Sequence, residues 1–198
     1  MPRVMPGVFC EATMIKRVTL PLTSESVRDL HAGDMVFLNG PILTARDAAH
    51  KRLRQTLDAG EPLPVDLNGQ TIYYLGPTPA PPGHVIGAAG PTTASRMDSY
   101  TPRLLALGLR GMLGKGKRSA EVIEAMKKHG AIYFAATGGA AALLARSVTG
   151  CEVVAYPDLG TEAIRMLELR DFPAIVAIDC QGNNRYEQGP ALYRRKTT

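Results

Sequence analysis

Tryptophan is absent from this chain of 198 residues, cysteine occurs three times, and no Cys-x-x-Cys pair is present. Cys10, Cys151 and Cys180 form an odd, scattered set, which speaks against a disulfide framework. His31, His84 and His129 stand singly in loops or at a helix end, with no metal-ligand spacing around them. No apolar stretch approaches the ~20 residues needed to cross a bilayer. The N-terminus also lacks the apolar run of a signal peptide, so a cytoplasmic protein with no membrane partner is expected. Charge of one sign is not concentrated either. The 23 Lys and Arg stand beside 18 Asp and Glu, and the net charge of +5 is spread along the chain. That excess is too diffuse for a nucleic-acid footprint, yet it can draw in small anions. The most basic run, Tyr193 to Lys196, reads as a solvated tail and is assigned no function.

What is present fits one domain. With 45% hydrophobic and 21% charged residues the chain is long enough to bury one sizeable core. Residues 1–13 carry two Pro-containing pieces and no periodicity, and are expected to be a flexible arm before a single domain over 14–198. The 20 glycines and 15 prolines suit many short connections in a loop-rich α/β protein.

IKRVTLPL (15–22) reads as a strand, and MVFLNGPIL (35–43) as a second strand that turns through Asn39-Gly40-Pro41, with a polar link over 24–34. Ala45, Ala49, Leu53 and Leu57 recur every four residues and predict a helix from Thr44 to Ala59, with Thr44 as N-cap, Asp47 at the capping-box position and Gly60 as the stop. TIYYLGP (71–77) and HVIGAAGP (84–91) read as strands around a Pro-rich loop, and a second helix is predicted from Thr93 to about Leu107. Beyond it come a strand at 109–113, a helix from Ser119 to His129, a strand at 131–137, a small-residue helix from Ala140 to Ser147, a strand at 152–157, a short helix from Glu162 to Leu169 and a strand at 173–180. This alternation over 109–180 predicts a partly parallel sheet covered by helices, with antiparallel pairing in the earlier half and three layers in all.

Arginine is disfavoured in the first turn of a helix, where exposed N–H groups and a partial positive charge attract anions instead. Arg46 nevertheless follows the predicted cap Thr44, and Arg96 follows Thr92 and Thr93 within one turn. Two such violations point to an anion that uses N–H groups and guanidinium together. A third basic site is the loop Gly114-Lys115-Gly116-Lys117-Arg118, where glycine permits close backbone approach and lysine supplies a mobile charge. Three such sites suit a ligand with two carboxylates, although each residue alone also reads as a solvated surface group. His50, four residues after Arg46, shares its helix face and either orients the guanidinium, touches a ligand or is a structural histidine. Asp47 reads as a cap rather than a catalyst. Thr92 and Thr93 read as caps or, beside Arg96, as hydroxyls able to exchange a proton. Thr137-Gly138-Gly139 is either a fourth anion site or a packing turn.

TARDAAHKR (44–52), GPTTASRMD (90–98), GKGKRS (114–119), ATGGAAALLA (136–145) and DLGTEAI (158–164) together resemble the C-terminal catalytic region of class I, oxygen-sensitive fumarases, over roughly Met14 to Asn184. The resemblance implies a swivelling β/β/α fold and the beta subunit of a two-subunit enzyme that hydrates fumarate reversibly to L-malate. It implies a partner alpha subunit carrying a [4Fe-4S] cluster; a homodimer or higher oligomer is expected as well, because a surface adapted to a partner exposes apolar groups. By the same resemblance Arg46, Arg96 and Lys115 contact substrate carboxylates, Thr92 is the catalytic base and Thr93 its neighbour in the site. Lys117 departs from the family pattern, which leaves open whether Lys115 or Lys117 faces the site. The three cysteines do not match the cluster-binding ones, so no metal is assigned to this chain. The small subunit of L-tartrate dehydratase shares GPTT-x-x-R and is the nearest alternative; a non-catalytic anion-binding assembly subunit is the more distant one.

Overall fold

A computed structural model describes residues 15–194, and its strands carry apolar side chains on both faces. The expected arm over 1–13, Cys10 and the end of the basic tail lie outside these residues. The strands are β1 (Lys16–Thr19), β2 (Met35–Thr44), β3 (Thr71–Tyr73), β4 (Gly111–Gly114), β5 (Ile132–Ala135), β6 (Val148–Ala155) and β7 (Ile164–Ile178). The helices are α1 (Ser24–Arg28), α2 (Asp47–Asp58), α3 (Thr101–Ala106), α4 (Ala120–His129), α5 (Ala141–Ala145) and α6 (Arg185–Tyr193).

β1 to β5 run parallel to one another in chain order, and β7 runs antiparallel to β2, β5 and β6. Because β7 pairs with both ends of the β2-β3-β4-β5 run, the sheet closes on itself. Successive strand residues then face different cores, as the two-residue period requires. Tyr73, Leu113 and Phe134 point into the enclosed core, to which α1 and α5 add Val27 and Leu144. Ile72, Met112 and Tyr133 point outward under α2, α3 and α4, where Leu53, Leu104 and Met126 cover them. Two cores separate three layers, and the mixed α/β sheet with covering helices agrees with the expected class.

The order of pairing differs from expectation in the earlier half, where β1, β2 and β3 pair parallel rather than antiparallel; over 109–180 the sheet is partly parallel as expected, with β4 parallel to β5 and the antiparallel pairs formed by β7. The predicted helix over 162–169 is instead the end of a 3-10 turn (Pro157–Glu162) and, from Ile164, the first part of β7, where Gly40–Thr44 of β2 pair with it on one side and β6 on the other. Two partner strands outweigh the helix propensity of its Glu, Met and Leu residues. Residues 84–91 form no strand; they make a folded-in loop tied by the Tyr73 hydroxyl to the Ala89 carbonyl at 2.7 Å and by the Ala89 N–H to the Ala141 carbonyl at 3.0 Å. The helix predicted over 93–107 breaks into a 3-10 turn (Ala94–Met97) and α3. Asn39-Gly40-Pro41 is a bulge inside β2 rather than a turn, and it requires glycine at position 40, where φ is +102° and a Cβ would stand 2.7 Å from the Leu20 carbonyl oxygen. The polar link contains α1, closed by a Thr23/Ser26 capping box, and α6 was not foreseen.

Candidate active site

Ligands of α/β sheets bind outside the carboxyl ends of parallel strands, where loops converge and backbone donors are free. Four adjacent strands end together here: β2 leads to Arg46, β3 to Tyr74, β4 to Lys115 and β5 to Thr137. The segment Thr92–Ala94 wedges between two of these ends. The Thr92 N–H donates to the Tyr74 carbonyl at 2.7 Å, the Lys115 N–H to the Thr92 carbonyl at 3.2 Å, and the Ala94 N–H to the Lys115 carbonyl at 2.8 Å. Thr93 and Lys115 consequently form a parallel bridge. Gly114 makes this possible, because a Cβ there would stand 2.9 Å from the Tyr74 ring and 3.3 Å from the Thr92 carbonyl. Thr92 is half-buried and Thr93 exposed; among the described residues neither hydroxyl holds a capping bond.

Thr44 is not the cap of α2. It ends β2, fully buried, and its hydroxyl accepts the Arg165 N–H at 3.1 Å. Arg46 takes the N-cap position itself, without a side-chain capping bond, and Asp47 is the first helical residue. The orphan donors at this helix start are met from a distance: Glu162 Oε2 accepts the Ala48 N–H at 2.6 Å, and Glu162 Oε1 lies 3.4 Å from Arg46 Nε. Arg165 steadies the turn that carries Glu162 by donating to the carbonyls of Gly160, Thr161 and Ala163.

Asp47 joins the two candidate arginines. Its Oδ1 accepts Arg96 Nε at 2.8 Å, and its Oδ2 accepts Arg96 Nη2 at 2.6 Å and Arg46 Nε at 3.3 Å. Partial burial works to raise the Asp47 pKa, but its own backbone N–H and the Arg96 and Arg46 guanidinium groups outweigh it and hold the carboxyl below the usual range. The Arg46 side chain lies against Gly76, where a Cβ would stand 2.9 Å from its Cδ and Nη1.

Lys115 is half-buried and lies along Gly138, where a Cβ would stand 3.5 Å from its Nζ. Lys117 is exposed. The turn Thr137-Gly138-Gly139 thus borders the Lys115 side chain, while α5 behind it has only five residues. Arg118, grouped by sequence with this basic loop, instead turns inward with its side chain fully covered. It donates to Asp98 at 2.7 Å, to the Tyr74 hydroxyl at 3.0 Å and to the Thr101 hydroxyl at 2.7 Å. Glu162, Asp98 and Gly76 were not foreseen as parts of the site; none of them stands in a local pattern that marks it.

His50 is buried behind Arg46, 1% exposed, rather than facing a ligand. Its Nδ1 donates to the Arg46 carbonyl at 2.9 Å, which leaves Nε2 as a buried acceptor with no partner among the described residues. A cavity of about 30 Å³ lined by His50, Ser99 and Tyr100 adjoins it, room for one water. Burial, aided by the Arg118 charge and opposed by the Arg46 carbonyl and Asp47, pushes the His50 pKa down to about 4. Between pH 6.5 and 4 the unfolded chain therefore binds a proton that the fold refuses, and stability is lost as pH falls through that window, by up to about 3 kcal/mol. His50→Asn keeps a donor for the Arg46 carbonyl and does not titrate. Its melting temperature should fall less between pH 7 and 4.5 than that of the parent, and parallel declines would exclude His50 as the cause.

Cys151 and Cys180 are unpaired, on β6 and just past β7, and among the described residues no three His, Cys, Asp or Glu side chains converge as a metal-binding group. No helix of the described residues is long and apolar enough to cross a membrane. The sequence matches the family described as Fumarase C-terminus over residues 3–189. It is 48% identical over 153 residues to fumarate hydratase class I, aerobic, of Escherichia coli K12, covering 76% of this chain and 28% of that protein. Fumarate hydratase 2 of Leishmania major is 40% identical over 93% of this chain and 33% of its own length. A Methanocaldococcus jannaschii protein named "Putative L(+)-tartrate dehydratase subunit beta" is 41% identical over 84% of this chain and 89% of its own length. The chain thus spans about a third or less of the fumarate hydratases it matches, and nearly all of the tartrate dehydratase subunit. A family match that spans residues 3–189, and with them every loop at the carboxyl ends of the sheet, leaves one conclusion: this chain belongs to the Fumarase C-terminus family.

Proposed function

We propose that this chain is the beta subunit of a two-subunit hydro-lyase that adds water reversibly to fumarate to give L-malate. The observation that carries the reading is the gathering of Arg46 and Arg96 on one carboxylate, at the sheet edge where Thr92 and Lys115 are hydrogen-bonded neighbours. The names of the fumarate hydratase relatives supply the reaction. We place a [4Fe-4S] cluster on the partner alpha subunit, where it would supply Lewis-acid chemistry; the described residues of this chain offer no ligand set for it. The substrate is a dianion, and the terminal nitrogens of Arg46 and Arg96, with Lys115 Nζ, bind its carboxylates and fix the carbon skeleton. Thr92 Oγ1 gives its proton to C3 as water adds its hydroxyl at C2, and the proton released by that water restores the Thr92 hydroxyl; dehydration runs the same transfers in reverse. Thr93 lies beside it in the exposed rim.

The near-complete coverage of the archaeal subunit favours a second reading, the beta subunit of an L-tartrate dehydratase with the same division of labour. Anaerobic assays of the chain, of a cluster-loaded alpha subunit and of their mixture separate the two. Fumarate hydration only in the mixture is the expected result. Turnover of tartrate and not fumarate moves the substrate, and full activity of the alpha subunit alone rejects both readings.

A further inference from the structure

The arginines of the proposed carboxylate clamp are each gripped from behind by a carboxylate of this chain. In order the charges are Arg96, Asp47, Arg46 and Glu162, ending on the N–H of Ala48 at the start of α2. Asp47 takes the Nε flank of Arg96 in a two-pronged contact and also reaches Nε of Arg46. Glu162 takes the Nε side of Arg46. Among the described residues, Arg96 Nη1 and both terminal nitrogens of Arg46 donate to nothing. A guanidinium has five N–H groups in a rigid plane, so fixing it through Nε leaves the opposite edge free to fork onto another carboxylate.

Resting on the function proposed above, we infer that Asp47 is a positioning residue: it locks Arg46 and Arg96 at one spacing with their terminal nitrogens turned to the ligand, and so sets affinity for a dicarboxylate. Two simpler roles compete. A carboxylate at the first position of a helix stabilises its N-terminus, which explains Asp47 but not the two arginines drawn to it. A half-exposed ion pair contributes little to folding, and Asp47 and the Arg96 side chain keep 35% and 47% of their surface. The contact is worth more as geometry than as stability. Asp47 also stands within reach of the substrate's own binding groups, so it could act as a rival for them, and that role predicts the opposite sign.

Asp47→Asn and Asp47→Glu in the assembled two-subunit enzyme distinguish these roles. Asparagine keeps the shape and loses the charge. Glutamate serves a helix start as well as aspartate does, but carries the fork one methylene further out. The positioning role predicts that Asp47→Asn raises KM for fumarate about tenfold, with kcat within about threefold, the pattern of lost uniform binding. Asp47→Glu should raise KM at least about threefold, again with an unchanged melting temperature. A helix-end role predicts that Asp47→Glu is silent, and a rival role predicts a lower KM in Asp47→Asn; either result overturns the inference. Arg96→Ala is measured beside them. If it impairs turnover while both Asp47 variants behave like the parent, the inference fails and the function stands. If Arg96→Ala is also without effect, the carboxylate clamp itself is wrong.

Discussion

Asp98→Ala is expected to destabilise the fold by about 3–5 kcal/mol, the range seen when one partner of a buried ion pair is removed. Arg118 is the other partner. Its side chain is fully covered, that of Asp98 keeps 14% of its surface, and the pair is 2.7 Å apart. Asp98 also accepts the Ser119 N–H at 2.7 Å, at the start of α4. Truncation therefore leaves a buried guanidinium with only neutral acceptors, the hydroxyls of Tyr74 and Thr101 and the weakly accepting Met112 sulfur, and loosens a helix start as well. The Tyr74 and Tyr133 rings, each 5.3 Å from the Arg118 carbon, soften the loss without cancelling the charge. For a domain of this size the expected fall in melting temperature is roughly 10 °C. The double variant Asp98→Asn, Arg118→Met removes both charges and should be milder than Asp98→Ala alone. A fall below about 2 °C for Asp98→Ala, or a double variant worse than the single, would mean that the pair does not hold the fold. The same four residues join the end of β3, the turn after Arg96, the start of α3 and the start of α4, so the network that stabilises the outer core also frames the site.

Elements specified by neighbouring residues were legible in the sequence. Ser119 predicts the start of α4 and does accept the Val122 N–H, and Gly130 closes the helix at φ +63°. The four-residue spacing of Ala45, Ala49, Leu53 and Leu57 predicts the buried face of α2; Ala49 and Leu53 are covered and Leu57 is half-buried, while Ala45 is buried just before the helix begins. The end of β7 was legible as the strand expected at 173–180, but its first half was not, because what makes it a strand lies far away: residues 40–44 pair along one side and residues 148–155 along the other. Nothing within Glu162–Leu169 records those partners, and its composition suits a helix as well. The antiparallel pairing followed the same fate, since all its pairs involve β7, whereas the parallel β4–β5 pair lies in the alternating stretch that predicted it.

The site divides in the same way. Arg46, Arg96 and the glycine-flanked Lys115 stand out in the sequence because each violates or exploits a local rule, and the fold sets Arg46 and Lys115 just past the carboxyl ends of β2 and β4 and Arg96 in the 3-10 turn beside them. Their supports do not stand out. Glu162 reaches the start of α2 across 114 residues of chain, and Asp47, read as a cap, spends both oxygens on arginines instead. Arg118 shared the appearance of a surface cation with Lys117, one residue away, yet only Arg118 faces buried hydroxyls and a carboxylate.

Thr92→Ala should lower kcat of the assembled enzyme by about 10²–10⁴, the contribution of a positioned acid-base group. Alanine isolates the side chain here because the structural duty of Thr92 is carried by its backbone. The N–H bonded to Tyr74 and the carbonyl bonded to Lys115 survive the substitution, so the wedge between β3 and β4 and the bridge to Lys115 persist. The melting temperature should accordingly move by less than about 2 °C while turnover collapses. Thr92→Ser restores a hydroxyl at the same backbone position and should recover most of the rate; Thr93→Ala, one residue along and exposed, should keep more activity than Thr92→Ala. If the chain were an anion-binding subunit that only assembles a partner, Thr92→Ala would leave turnover nearly intact. If Thr92 merely shaped the pocket through its methyl group, valine would replace it better than serine. The order of rates among serine, alanine and valine at this one position therefore separates proton transfer from packing, and packing from a role in assembly alone.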